Sequence, residues 1–315
     1  KKLFNKIREL KESGSTILYI SHRLEELDEI CDYLTVMRDG CFIKTAKVGE
    51  ITRNEIIYSM VGREITDIYP KETAEIGNNI LRVEDINNDS VHHISFHLKR
   101  GEILGFAGLV GAGRTEVARA LFGMDAISSG NIYLEEKKLN IKSPKDAVDN
   151  GIMMVSEDRR KFGLVTKRDV MENIMLPNYG RVKRGLFMKH KKEREITADM
   201  IEKLRIKTSG QNTETASLSG GNQQKIVIGK WLVSEPKIFI LDEPTRGIDV
   251  GAKAEIYKLM CEFAKQGMAI IMISSDLPEL MGMADRIYVM SEGKITGELS
   301  REEASQEKIM HFATV

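Results

Sequence analysis

Apolar residues recur at helical spacing from the first turn, with Leu3, Phe4, Ile7 and Leu10 on one face of an expected amphipathic helix. Thr16-Ile17-Leu18-Tyr19-Ile20-Ser21 then reads as a strand. After a polar stretch containing Pro70 and Gly77, strand-like runs return at Ile80 to Ile86 and Ile94 to Leu98. Beyond them lie an apolar run ending at Ala107, a hairpin-like stretch from Gly130 to Leu139, a helix near Pro144 to Asn150 and the strand Ile152 to Val155. Residues 156–230 are mainly helical and charged, which predicts an inserted helical subdomain. Strand and helix then alternate to the end, so a mainly parallel sheet with helices on its faces is expected.

The two ends of the chain match each other at a constant offset of 253 residues. Gly14 stands opposite Gly267, and Thr16 to Ser21 opposite Ala269 to Ser274. Leu24, Glu26 and Leu27 stand opposite Leu277, Glu279 and Leu280. Asp32, Val36, Met37 and Gly40 stand opposite Asp285, Val289, Met290 and Gly293. Charged, apolar and glycine positions keep step without a gap over about sixty residues, further than coincidental helix–strand–helix patterning holds register. Residues 1–62 are therefore expected to be the end of a first module, 63–79 a linker and 80–315 a complete second copy. A fragment of something longer is the expectation.

Lys plus Arg and Asp plus Glu each number 47, so no global field favours nucleic acid or an anionic membrane. No apolar run approaches the roughly 18 residues of a spanning helix. Cys31, Cys41 and Cys261 are odd in number, widely spaced and without a CxxC pair, as expected of ordinary thiols.

Three strings carry chemistry. Gly108-Leu-Val-Gly111-Ala112-Gly113-Arg114-Thr115 lies between a strand and a helix that begins near Glu116. Its glycines let backbone N–H groups close on phosphate oxygens, and the helix end adds its dipole. It matches GxxxxGK[ST] except for Arg114 in place of lysine. Leu218-Ser219-Gly220-Gly221-Asn222-Gln223 is a second anion-facing helix start, with Ser219 the expected cap. Lys237 to Glu243 is an apolar strand ending in two carboxylates. Asp242 is placed to hold magnesium and Glu243 to polarise an attacking water.

These strings resemble the ATP-binding subunits of ABC transporters. The tandem modules, Glu157-Asp-Arg-Arg160 and the run Asp242 to Lys253 are similar to monosaccharide importers of the ribose and galactose type. The resemblance implies an α/β, P-loop fold of the ABC type, mainly parallel, with an antiparallel β part and the helical insertion. It implies ATP and magnesium as ligands, Thr115 with Asp242 at the metal, and ATP contacts from the loop, Glu116 and Glu157. It makes Asp249 part of a loop facing the other module. It implies membrane permease subunits and an external sugar-binding protein as partners, the first ATPase module in cis, no nucleic acid, and a peripheral place on the cytoplasmic face of the membrane. Importers of nucleosides, tandem ATPases acting on ribosomes or DNA, and a non-catalytic regulatory half share much of the pattern.

Measured against that family, the second copy departs in several places. Arg114 replaces lysine, Glu157 stands where a glutamine is usual, and Ser275 where a switch histidine is usual. The repeat equivalent of Ser275 is His22. No aromatic lies between Ile86 and His93 to stack on adenine. The loop at 108–115 is thus expected to be the slower site, and Ser219 to Gly221 to serve the first module's loop. His93 and His97 read as a polar strand face with no acid nearby. The basic cluster from Arg181 to Lys192 reads as a solvated face, and Met153, Met154, Met171 and Met175 as core fillers.

Overall fold

The computed structural model describes all residues except 1, 22–23, 39, 53–54, 57, 60–68 and 185–186. It divides into two units, Lys1–Ile68 with Asp249–Ala254, and Tyr69–Ile248 with Glu255–Val315.

The larger unit is built on two sheets. β3 (Asn79–Asn87), β4 (Ile94–Lys99), β6 (Ser129–Leu134) and β7 (Lys137–Leu139) form an antiparallel sheet in the order β4-β3-β6-β7. The alternation of Ile94, Phe96 and Leu98 inward against Ser95 and His97 outward is what a sheet with one covered face requires. The second sheet has six strands in the order β14-β13-β5-β12-β11-β8. Its members are β5 (Ile103–Gly108), β8 (Ile152–Val155), β11 (Ile238–Asp242), β12 (Ala269–Ile273), β13 (Arg286–Ser291) and β14 (Lys294–Ser300). All neighbours are parallel except the β13–β14 edge pair. β8, β11 and β12 are buried along their whole length, and their unbroken apolar runs reflect helices on both faces. One core joins the sheets, with Phe96, Phe106 and Tyr288 in mutual ring contact at 5.2–6.0 Å. Each such buried ring contributes about 1.5–3 kcal/mol.

The remaining helices of the larger unit are α3 (Arg114–Leu121), α4 (Pro144–Asp149), α5 (Val170–Met175), α6 (Tyr179–Val182), α7 (His190–Lys203), α8 (Gly220–Leu232), α9 (Val250–Lys265, whose first turn groups with the smaller unit), α10 (Leu277–Met283) and α11 (Gln306–Ala313). Those from α5 to α8 make the helical insertion between β8 and β11, together with the two-residue antiparallel strands β9 (Lys183–Arg184) and β10 (Phe187–Met188). Buried Asn173 and Asn178 tie its loops, Asn173 to Val165 and Thr215, Asn178 to the Ile174 and Lys230 carbonyls. Met153, Met154 and Met175 are buried and Met171 is half-buried. No described helix is long and apolar enough to cross a membrane.

The smaller unit contains α1 (Lys2–Glu12), α2 (Leu24–Ile30) and a hairpin of β1 (Tyr33–Arg38) with β2 (Cys41–Lys47), around Leu27, Leu34, Val36, Ile51 and Ile56. Advancing α2, β1 and β2 by 253 residues gives the ranges of α10, β13 and β14. Even the hairpin irregularity recurs, between Val36 and Met37 and between Val289 and Met290. One expectation needs correction. Thr16–Ser21 forms no strand, and Leu18 and Ile20 are each 89% exposed beside a trough of about 780 Å³. Its counterpart β12 is hydrogen-bonded on both sides, to β5 and β11. Among the described residues of the smaller unit no such neighbours exist, and a strand without a ladder has nothing to fix it. The expected helix α1 forms, with none of its residues buried and Leu3 60% exposed.

Candidate functional site

β5 runs straight into the glycine loop. Gly108 sits at φ 149°, where a Cβ would lie 2.6 Å from the Met290 carbonyl, so no other residue fits that close approach. Gly113, at φ 100°, precedes α3, and no side chain caps the helix. Val110 is 95% exposed and Ala112 buried, so the loop is anchored at its foot and open at its crest. The uncapped N–H groups, with Glu116 half-buried in the first turn, form the kind of helix start that takes an anion.

Thr115 comes one residue into α3, and its hydroxyl donates to Asp242 Oδ2 at 2.9 Å. Asp242 Oδ1 is buried without a partner. Burial pushes this carboxyl up to about 6, against the Thr115 bond, which lowers it. A buried carboxylate oxygen lacking any donor costs about 1–3 kcal/mol, and a hard divalent cation would relieve it. The hydroxyl and carboxylate therefore fit magnesium.

Glu243 follows at φ 48°, a left-handed conformation costly for a non-glycine residue. Its N–H donates to the Ile273 carbonyl at 2.9 Å, tying it across to the end of β12. Burial raises its pKa, while a hydrogen bond from Ser275 and the Arg114 charge work the other way. Arg114 Nη1 donates to the Ser274 carbonyl at 2.8 Å. The loop, Thr115, Arg114, Asp242, Glu243 and Ser275 are thus one group.

One member of this group was not expected. Glu279 is buried on α10 and takes hydrogen bonds from Thr245 Oγ1 (2.8 Å) and Ser274 Oγ. It joins the segment after Glu243 to the segment before Ser275. The signal was in the repeat: Glu26 occupies the equivalent position, and Ser21 Oγ donates to it at 2.8 Å.

Leu218 to Gln223, the signature string of the family resemblance, belong to a second group. Ser219 precedes α8, but its side chain caps nothing; its Oγ instead accepts from Asn222 Nδ2 at 3.0 Å, which corrects the expected cap. Leu218 is half-buried, Gly221 and Gln223 are buried, and Gln223 Nε2 donates to the Thr215 and Leu218 carbonyls. Glu157 is ion-paired with Arg246. Arg159 donates to the Arg246 and Gly247 carbonyls at 2.8 and 3.1 Å. Asp249, in the smaller unit, accepts from the Ala252 N–H at 2.9 Å at the start of α9.

His22 lies outside the described residues. The reading of His93 is also corrected. It sits before β4 at φ 55°, and its Nδ1 is 2.7 Å from Asp85, an acid supplied by β3. It lies outside β4, the strand that carries His97.

Residues 91–246 match the family model described as ABC transporter. The chain is 52% identical over 313 residues to a putative ribose/galactose/methyl galactoside import ATP-binding protein of Rhizobium etli, covering 99% of this chain and 60% of that one. It is 48% identical over 314 residues to a ribose import ATP-binding protein of Bacillus subtilis, and 49% over 321 to a xylose import ATP-binding protein of Thermoanaerobacter pseudethanolicus. In both cases 99% of this chain and 64% of the relative are covered, so the chain spans about three fifths of the length of the curated relatives it matches. Among solved structures, a nucleotide-free ATP-binding cassette is 22% identical with a TM-score of 0.63 over 76% of this chain and 96% of that one. The ADP conformation of another gives 0.65 at 22%, over 75% and 99%. These share the fold. With a phosphate loop, an acidic strand end and a signature helix on that fold, and relatives near half identity along almost its whole length, the chain belongs to the ABC transporter family of ATP-binding proteins.

Proposed function

We propose that this chain is part of an ATP-hydrolysing subunit that energises monosaccharide import. In this reading residues 1–62 end a first ATPase module, 63–79 link and 80–315 form the second, peripheral on the cytoplasmic face beside its permease. The observation that carries it is the Thr115–Asp242 pair with its orphaned Oδ1 at the foot of an uncapped glycine loop, next to Glu243. The names of the relatives support the sugar class.

Each residue has its own task. Loop N–H groups from Gly108 to Thr115 hold phosphate oxygens. Thr115 and Asp242 hold magnesium, which when bound offsets phosphate charge. Glu243, kept near Ser275 and with its pKa raised by burial, orients a water and accepts its proton. Ser219 to Gly221 present a second helix start to nucleotide on the first module, whose switch residue is His22. That composite site is the fast one. The loop with Arg114, Glu157 and Ser275 binds nucleotide and turns over slowly.

The test is sugar-stimulated ATPase activity of the full-length protein reconstituted with permease and binding protein. Stimulation by ribose, galactose or xylose is expected. His22→Ala should lower turnover about 100-fold and Ser275→Ala less than about threefold. Turnover unaffected by any sugar overturns the import reading, and the reverse ranking overturns the assignment of sites.

A further inference from the structure

Asp158-Arg159-Arg160, next to Glu157, takes no part in the proposed nucleotide chemistry, and the structure gives it a definite neighbourhood. Arg159 opens a single π-helical turn, Arg159–Gly163, started by Asp158, whose carboxylate accepts from the Arg160 and Lys161 N–H groups at 3.0 Å. The far end of the turn is keyed into the signature helix α8. The Gly163 carbonyl accepts from buried Lys230 at 2.5 Å, and a Cβ on Gly163 would lie 3.0 Å from Val227. The near end holds the loop after Glu243. Arg159 takes the Arg246 and Gly247 carbonyls in its fork, while Glu157 takes the Arg246 side chain.

The same guanidinium lies against the first residue of α8. A Cβ on Gly220 would stand 2.7 Å from Arg159 Nη2 and 3.0 Å from the Gly247 carbonyl. Glycine there leaves room for the fork, independently of any need to approach phosphate. Arg159 Nε is buried with no acceptor, so the side chain is held in place by its two terminal nitrogens alone. Planar, two-pronged donation to adjacent carbonyls is a geometry lysine reproduces only in part.

We propose that Arg159 is a positioning residue that latches the start of the signature helix to the loop after Glu243, so that Ser219–Gly221 and residues 244–248 are held in one register. Because these two elements serve opposite composite sites, the latch couples them. This rests on reading Ser219–Gly221 as a phosphate-facing helix start.

The experiment uses the full-length protein with its permease, comparing Arg159→Gln, Arg159→Lys and Gly220→Ala. Arg159 touches no nucleotide in this scheme, so Arg159→Gln should lower kcat about 30-fold with KM within about twofold. Arg159→Lys should recover part of that loss. Gly220→Ala should behave as Arg159→Gln, since its methyl displaces the fork while leaving the arginine in the sequence. Amide exchange of residues 219–224 and 244–248 should accelerate about tenfold in Arg159→Gln, with β5 and β11 unchanged. Unchanged exchange in those two segments, acceleration spread through β5 and β11, or wild-type kinetics in Gly220→Ala each overturn the latch. Should the wild-type protein show no sugar-stimulated turnover, the functional reading fails, and the exchange measurement alone still decides whether Arg159 joins the two segments.

Discussion

Thr16–Ser21 and Ala269–Ser274 are two copies of one sequence pattern with different neighbours in this structure. The later copy is a central strand, buried along its length between β5 and β11, and it presents Ser274 and Ser275 to the site. The earlier copy has the same β-branched character but no ladder, and Leu18 and Ile20 face solvent. Downstream of both copies the chain builds the same elements: a helix, a hairpin with one irregularity, and a serine–glutamate bond, Ser21 to Glu26 and Ser274 to Glu279. Local elements that close their own hydrogen bonds form in both places. A strand that depends on non-local partners forms only where they exist.

The largest contrast should be in amide exchange. In this chain residues 269–273 are expected to exchange about 1000-fold or more slowly than 17–20, because one set is hydrogen-bonded in a buried sheet and the other is not. Comparable protection in both would mean that the earlier copy forms a strand unaided.

Turnover of the full-length protein should separate the two proposed composite sites next. Ser219→Arg places a bulky cation at the signature and should reduce ATPase activity about 100-fold or more. Activity within a few-fold of wild type would remove the signature of this module from the fast site.

The paired glutamates offer a stability comparison. Glu279 is 1% exposed and accepts from two hydroxyls, so Glu279→Ala leaves unsatisfied donors and a cavity. It should cost about 2–4 kcal/mol, followed in urea by the fluorescence of Trp231. Glu26 is only half-buried, and Glu26→Ala should cost about 1 kcal/mol or less.

Asp242 makes stability depend on pH. The folded chain keeps its proton up to about pH 6, whereas the ordinary value is 3.8. Its contribution therefore favours the fold fully below pH 3.8 and is lost as pH rises through 6. Thermal midpoints between pH 4 and 7 should fall by the equivalent of about 1–3 kcal/mol, and Asp242→Asn should flatten that fall. Stabilisation by magnesium should grow over the same range, since the metal takes the charged carboxylate. The smallest effect belongs to Arg114→Lys, expected to change turnover by less than about threefold, because on the proposed reading it alters the slow site. A many-fold rise would reverse the assignment of the two sites.

Much of the fold was legible from patterning. Unbroken apolar runs at Ile238–Leu241 and Ala269–Ile273 marked buried parallel strands, and the alternation around Phe96 marked a one-sided sheet. The glycine loop and the paired carboxylates were legible because their chemistry demands particular residues at particular spacings. Contacts made across long sequence separations were not. The bond from Arg114 to the Ser274 carbonyl spans 160 residues, the fork from Arg159 to Gly247 spans 88, and the acid beside His93 arrives on a neighbouring strand. Ser219 had the identity of a cap but not its bond, since the Asn222 amide claims its hydroxyl instead.

The sequence by itself determined the period of each element, the repeat at 253 residues and the set of groups able to meet phosphate and magnesium, because side-chain chemistry and spacing are local properties. Only the tertiary structure decided that Glu279 joins Thr245 to Ser274, and that Arg159 fills the space left by Gly220. Those outcomes depend on which distant groups arrive to complete hydrogen bonds and exclude water, and spacing along one chain carries no record of that arrival.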